Sequence, residues 1–182
     1  MRLLAAAGIV LLSASVAAQP ATVILVRHAE RAAAPAGDPG LTAEGSKRAA
    51  DLMAVVAAYR VTSVITTHLQ RTRLTAKPVT DALGKEPIVV TAGGPTAAHV
   101  EAVAAAVRAR PAGDVVLVVG HSNTIPAIVT ALGGPKLPDL CDTQYSSLFV
   151  LQFKSGAEPA YTRTTYGAAD PSGSDSCGNR MP

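Results

Sequence analysis

Residues 115–119, Val-Val-Leu-Val-Val, form an unbroken apolar run bounded by Asp114 and Gly120. Side chains along a β-strand point alternately to opposite faces, so a strand of this composition has no face suited to water. Such a strand needs cover on both sides. Val23-Ile24-Leu25-Val26 repeats the pattern and ends abruptly at Arg27-His28. "VTSVITT" (61–67) and "PIVVT" (87–91) read as two further strands.

Helical periodicity fills the intervals. "LTAEGSKRAADLMAVVAAYR" places Ala49, Leu52, Met53, Val56 and Tyr59 on one stripe, with Lys47, Arg48 and Asp51 expected to face water. Thr42 is positioned as its N-cap, with Glu44 in the first turn. "RTRLTAKPVTDALG" reads as a helix closed by Gly84, with Pro78 expected to bend it or delay its regular part. "PTAAHVEAVAAAVRAR" is alanine-rich and helical by propensity. "SNTIPAIVTALGG" opens with Ser122 or Asn123 near its start. "YSSLFVLQF" and "PAYTRTTYG", joined by "KSGAE", form a hairpin. The order βαβαβαβαββ predicts a three-layer α/β/α fold, its central sheet mostly parallel and ending in a C-terminal antiparallel hairpin.

The chain divides into three parts: a signal peptide over 1–18, one domain over 19–166, and a Gly/Ser-rich tail over 167–182. Arg2, the apolar "LLAAAGIVLL" and the small residues of "SVAAQP" give the three regions of a secretory signal, and the apolar run is too short to span a bilayer. The expected location is therefore periplasmic or secreted, with no membrane span after signal removal. Without Arg2 the chain has 15 basic and 13 acidic side chains, from 16 and 13 in the whole. This weak surplus, without basic runs or interleaved aromatics, argues against nucleic-acid binding. Cys141 and Cys177 lie in a compartment that permits a disulfide between them, or they stand as two free thiols. Neither lies in a CxxC motif or beside a histidine, and no HxH or HExxH spacing occurs, so no metal or other cofactor is expected.

In open α/β sheets, ligands bind beyond the carboxyl ends of the strands. Arg27 and His28 close the first strand, His68 and Arg71 follow the second, and His121 follows "VVLVVG" with Ser122, Asn123 and Thr124 behind it. Two arginines and two histidines at one edge suit a phosphoryl group, since guanidinium groups grip its oxygens bidentately and a helix start adds backbone donors. His68 is balanced between the pocket rim and a cap on the next helix, while His99 is expected to pack or meet solvent.

"LVRHAE", "LTAEG", "TTHLQRTRLTA" and "VVGHSNTIP" resemble, in order, the motifs of the histidine phosphatase superfamily, the clan that includes phosphoglycerate mutases. The RH pair alone is weak evidence. Together with T-x-x-x-R-x-x-x-T-A and a strand followed by GHS, it becomes specific. The resemblance implies that His28 attacks phosphorus and becomes a phosphohistidine, that Arg27 and Arg71 hold the phosphoryl group, and that His121 binds it from the other side, with Ser122 contributing to phosphate binding. It implies a metal-independent phosphatase whose partner is a phosphorylated substrate. Attack requires one nitrogen of His28 to be unprotonated while the other is fixed by a hydrogen bond.

This sequence departs from the family pattern in two places. Ala29 and Glu30 follow the RH pair where Gly is common, and Ser122 follows the second histidine where acid phosphatases often carry Asp. A proton donor to the leaving oxygen is expected from Glu30 or Glu101, with Asp142 a more distant alternative. The short loops suggest an open pocket, and "RHAER" after a signal peptide resembles phosphatases of lipopolysaccharide heptose phosphates. A non-catalytic phosphate-binding module and a phosphotransferase or mutase are the alternatives. Nothing in the sequence addresses oligomeric state.

Overall fold

The computed structural model describes residues 20–154 and 156–172. The expected signal segment and Cys177 lie outside the described residues. Six strands alternate with four helices: β1 (Thr22–Arg27), α1 (Ala43–Val56), β2 (Ser63–Thr66), α2 (Gln70–Leu83), β3 (Ile88–Val89), α3 (Thr96–Arg108), β4 (Val115–Gly120), α4 (Thr124–Ala131), β5 (Ser147–Gln152) and β6 (Ala160–Thr165). The sheet order is β3-β2-β4-β1-β5-β6. The strands β3, β2, β4 and β1 pair in parallel, whereas β5 and β6 are antiparallel. A three-layer α/β/α fold with a C-terminal hairpin is what results.

The apolar runs have the two-sided burial that their composition demands. Val23 and Leu25 of β1, with Val116 and Val118 of β4, pack against α3 and α4. Ile24 and Val26, with Leu117 and Val119, pack against α1 and α2. Burying each such side chain contributes about 1.5–3 kcal/mol. Since β1 leads leftward in the sheet to β2 and β4 leads rightward to β5, the crevice between their carboxyl ends is the point where strand order reverses. Ligands bind at that point in folds of this kind.

Three local expectations meet a different outcome. Helix α2 is continuous from Gln70 through Pro78 to Leu83, so Pro78 does not delay its regular part. The carbonyl that loses its donor to Pro78 is that of Leu74, whose residue is exposed. The third strand contracts to Ile88–Val89, because only those residues pair with β2 at the sheet edge. Arg48, expected on the wet face of α1, is buried.

Candidate active site

His28 enters the crevice directly from β1, and its backbone N–H continues the ladder by donating to the Gly120 carbonyl (2.9 Å). Gly120 sits beneath the first turn of α4, where an added Cβ would press on Ile125 and Thr124. Its absence lets α4 start at once, which brings His121 beside His28. The two imidazoles lie 5.4 Å apart, centroid to centroid, in an edge-on arrangement.

His28 is fixed as a nucleophile would have to be. Its Nδ1 lies 2.8 Å from the Ala29 carbonyl. A carbonyl only accepts, so Nδ1 carries the hydrogen and Nε2 keeps its lone pair. Burial drives the His28 pKa down to about 3; the Ala29 hydrogen bond opposes this, while Arg27, His121 and Arg71 reinforce it. His121 is pushed down to about 4, first by burial, then by Arg71, His99, Arg27 and His68. Both rings are neutral at physiological pH in the free protein. His121 Nε2 lies 3.3 Å from Thr67 Oγ1, which in turn meets Thr72 Oγ1 at 2.9 Å.

Arg27 is buried, and its Nη1 donates to the carbonyls of Cys141 (2.7 Å), Asp142 (3.1 Å) and Gln144 (2.9 Å). With Nη1 engaged, the remaining fork is Nε and Nη2. Arg27 Nε is buried with no hydrogen-bond partner among the described residues, and so is Nε of Arg71, on the first turn of α2. An unpaired buried guanidinium N–H is costly, and two of them flanking a pair of neutral histidines suit an anion. Arg31, exposed beside them, lowers the pKa of both arginines after burial has done so. Ser122 is half-buried next to His121, and its carbonyl accepts from Leu140 N–H (3.0 Å).

The segment motifs now have physical roles. Thr75, on the turn of α2 after Arg71, accepts the Ala29 N–H at 2.9 Å and donates to the Arg71 carbonyl at 2.7 Å, joining α2 to the residue after His28. Thr42 caps α1 by accepting the Gly45 N–H at 3.0 Å. A Cβ on Gly45 would collide with the Glu30 backbone, so glycine there lets α1 abut the loop leaving β1. His68 does not cap α2; its Nδ1 accepts from Ala92 N–H (3.2 Å), and Asp38 instead accepts the Gln70 N–H (2.8 Å). His99 is buried, with Nδ1 on the Thr91 carbonyl and Nε2 unpartnered among the described residues.

Both carboxylates expected as proton donors are engaged elsewhere. Glu30 receives Arg48 Nε on both oxygens (2.9 and 3.1 Å) and Arg48 Nη2 at 2.8 Å. Glu101 is exposed on α3 and pairs with Arg108, which reaches the Ala131 carbonyl at the end of α4 remote from His121. The fully exposed Asp142 approaches Arg27 Nη2 at 4.0 Å. Tyr145 is a residue that sequence reasoning missed. Its ring lies 4.0 Å from the Arg27 guanidinium carbon and 6.2 Å from the His28 ring. The signal was its place just ahead of β5: Val26 pairs with Leu148, so continuing that register backward along β5 brings 145–146 alongside His28.

Cys141 is buried and is not a free thiol. Among the described residues no helix is long and apolar enough to cross a membrane, and no group of three or more His, Cys, Asp or Glu could hold a metal ion.

The family model of the histidine phosphatase superfamily (branch 1) matches residues 23–93, which contain Arg27, His28 and Arg71. No curated protein matches the chain. Among solved structures, a candidate phosphohistidine phosphatase, SixA, from Agrobacterium tumefaciens is 24% identical at a TM-score of 0.59, with 82% of this chain and 99% of that chain covered. The protein histidine phosphatase SixA complexed with tungstate is 18% identical at 0.59, covering 79% and 96%. A mycobacterial glucosyl-3-phosphoglycerate phosphatase bound to inorganic phosphate is 17% identical at 0.60, covering 81% and 97%. At these identities the likeness establishes the shared fold.

Proposed function

We propose, from the match of residues 23–93 to the histidine phosphatase superfamily model and from the fold shared with SixA, that the protein hydrolyses phosphate monoesters through a phosphohistidine on His28, without a metal. The observation that carries this reading is the fixed tautomer of His28 between two arginines with unpartnered Nε donors. Nε2 of His28 attacks phosphorus as the P–O bond to the leaving group breaks, giving a phosphoimidazole and the departing alkoxide, which takes a proton from solvent. Water then attacks phosphorus, the N–P bond breaks, and inorganic phosphate leaves. Arg27, Arg71 and His121 hold the equatorial oxygens, where charge is greatest in a loose transition state. Ser122 borders that site.

The finer reading is a phosphorylated sugar of the periplasm or cell envelope. It is supported by the signal-like residues 1–18, by the short β3–α3 connection over 90–95, and by the half-buried Tyr145 ring beside His28, a surface on which a sugar can rest. A second reading is supported by the engagement of Glu30 and Glu101 with arginines. A leaving group that departs with little help from an acid, such as the imidazole of a phosphohistidine, suits a site of that kind. SixA, the phosphohistidine phosphatase of similar fold, agrees with it.

The test is phosphate release by the protein in chelator from sugar phosphates, aryl phosphates and a phosphohistidine peptide, alongside His28→Ala. Release abolished by the substitution supports the reading, and the ranking of the panel separates the two substrate classes. Release that survives His28→Ala overturns it. Phosphate binding without turnover of any substrate would instead mark a binding module, and transfer to an added alcohol in preference to water a phosphotransferase.

A further inference from the structure

The residues just after β6 look like the start of a featureless tail, yet they are bonded to the loop that supports the phosphate clamp. The Asp170 carboxylate accepts the backbone N–H groups of Tyr145 (2.8 Å) and Ser146 (2.9 Å) on Oδ1, and the Ser146 hydroxyl (2.7 Å) on Oδ2. The same loop, residues 141–146, turns three carbonyls onto Arg27 Nη1 and lays the Tyr145 ring against the Arg27 guanidinium. It is thus gripped from inside by Arg27 and from behind by Asp170. The segment bearing Asp170 is anchored in turn. Arg48 Nη1 donates to the carbonyls of Tyr166 (2.9 Å) and Ala168 (3.0 Å), and Tyr166 N–H donates to the Ser146 carbonyl (2.9 Å).

Physically, this chain of contacts decides where Arg27 points. Nη1 is held by carbonyls of a loop with no regular secondary structure, so the direction of the Nε–Nη2 fork depends on where that loop rests. A carboxylate accepting backbone N–H groups makes charge-assisted hydrogen bonds, stronger than their neutral counterparts. We infer that Asp170 is a positioning residue for the phosphate clamp, holding Tyr145 and the 141–146 loop against Arg27 so that its Nε–Nη2 fork meets the phosphoryl oxygens. This rests on the reading of Arg27 and His28 as clamp and nucleophile. It goes beyond that reading by making residues 166–170 part of the working site.

The experiment compares the full chain with Asp170→Ala and Asp170→Asn, measuring kcat/KM on an aryl phosphate, the affinity for inorganic phosphate by calorimetry, and Tm. Misplacing a reacting or binding group by about 1 Å costs on the order of 100-fold in rate. Asp170→Ala is expected to lose about that factor in kcat/KM and to bind inorganic phosphate more weakly. Asp170→Asn keeps an oxygen acceptor for the two N–H groups and should recover most of both. A lower Tm with kcat/KM and phosphate affinity unchanged in the folded protein would overturn the inference, since a purely structural contact does that. Should Asp170→Ala fail to fold, Ser146→Ala carries the test, since it removes the hydroxyl that Asp170 Oδ2 accepts and leaves the site side chains in place. A partial loss of kcat/KM and of phosphate affinity is expected, and unchanged values overturn the inference. If the wild type turns over no substrate, the phosphatase reading fails on its own. Phosphate affinity then decides the matter: weaker binding by the variant upholds the positioning role, and equal binding sinks it.

Discussion

Glu30 stands two residues after His28, and the structure makes its role measurable through Glu30→Gln. Both oxygens of its carboxylate accept from Arg48, a side chain only 5% exposed, while Glu30 itself is 23% exposed. Glutamine keeps one oxygen acceptor and removes the charge that balances a buried guanidinium. A hydrogen bond to a charged group contributes about 1.5–3 kcal/mol. Losing most of one such bond, about 2 kcal/mol, lowers Tm by roughly 4–8 °C in a domain of this size, at about 2–4 °C per kcal/mol. Arg48→Met should be worse, about 3–5 kcal/mol, because it leaves Glu30 unpaired and frees the Tyr166 and Ala168 carbonyls. The assay joins thermal unfolding to kcat on two esters, an aryl phosphate with a good leaving group and an alkyl phosphate with a poor one. With Glu30 acting as the partner of Arg48, Glu30→Gln lowers Tm and leaves the ratio of the two rates unchanged. General acid catalysis contributes typically about 100-fold or more. A selective fall of that size for the alkyl ester, at unchanged Tm, would refute the argument and make Glu30 the proton donor.

The ends of the strands were legible because composition alone requires them to be buried. Val115–Gly120 and Thr22–Arg27 have no wet face, so the polar residues that follow them had to emerge together at one sheet edge. Arg27 and His28 meet His121 in this way, and Arg71 stands near them on the first turn of α2, after β2. What escaped was everything decided by tertiary partners. Arg48 reads as solvent-facing on α1, because its Glu30 and Tyr166 partners stand 18 and 118 residues away. Asp170 sits among Gly, Ala and Ser that suggest no structure, and its bonds to Tyr145 and Ser146 span 24–25 residues across a hairpin. The arginine partners of Glu30 and Glu101 escaped for the same reason, because charge is visible in a sequence and its pairing is not. Pro78 was weighed by its local cost, yet α2 runs through it, and the residue whose carbonyl it leaves without a donor, Leu74, is exposed.

Further measurements test the supporting contacts. Gly45→Ala drives a Cβ into the Glu30 backbone, so it should destabilise the protein by about 1–3 kcal/mol and depress kcat by displacing the His28 loop, as read by denaturant unfolding and steady-state rates. Thr75→Val removes the acceptor of the Ala29 N–H, an unpaired buried group costing about 1–3 kcal/mol; an unchanged denaturation midpoint would contradict the hydrogen bond. The histidines predict how stability follows pH. His28 and His121 have folded pKa values of about 3 and about 4, set by burial and nearby cations, against 6.5 ordinarily. Below pH 6.5 the unfolded chain binds protons that the folded chain refuses, so acid favours unfolding. Their contribution is fully present above 6.5, shrinks as pH falls through the range down to 4, and is lost near 3. Denaturant midpoints should therefore fall between pH 7 and pH 5, with a smaller fall in His28→Ala. Equal slopes for the two proteins would mean that His28 is protonated as readily in the fold as outside it, and the neutral nucleophile would have to be abandoned.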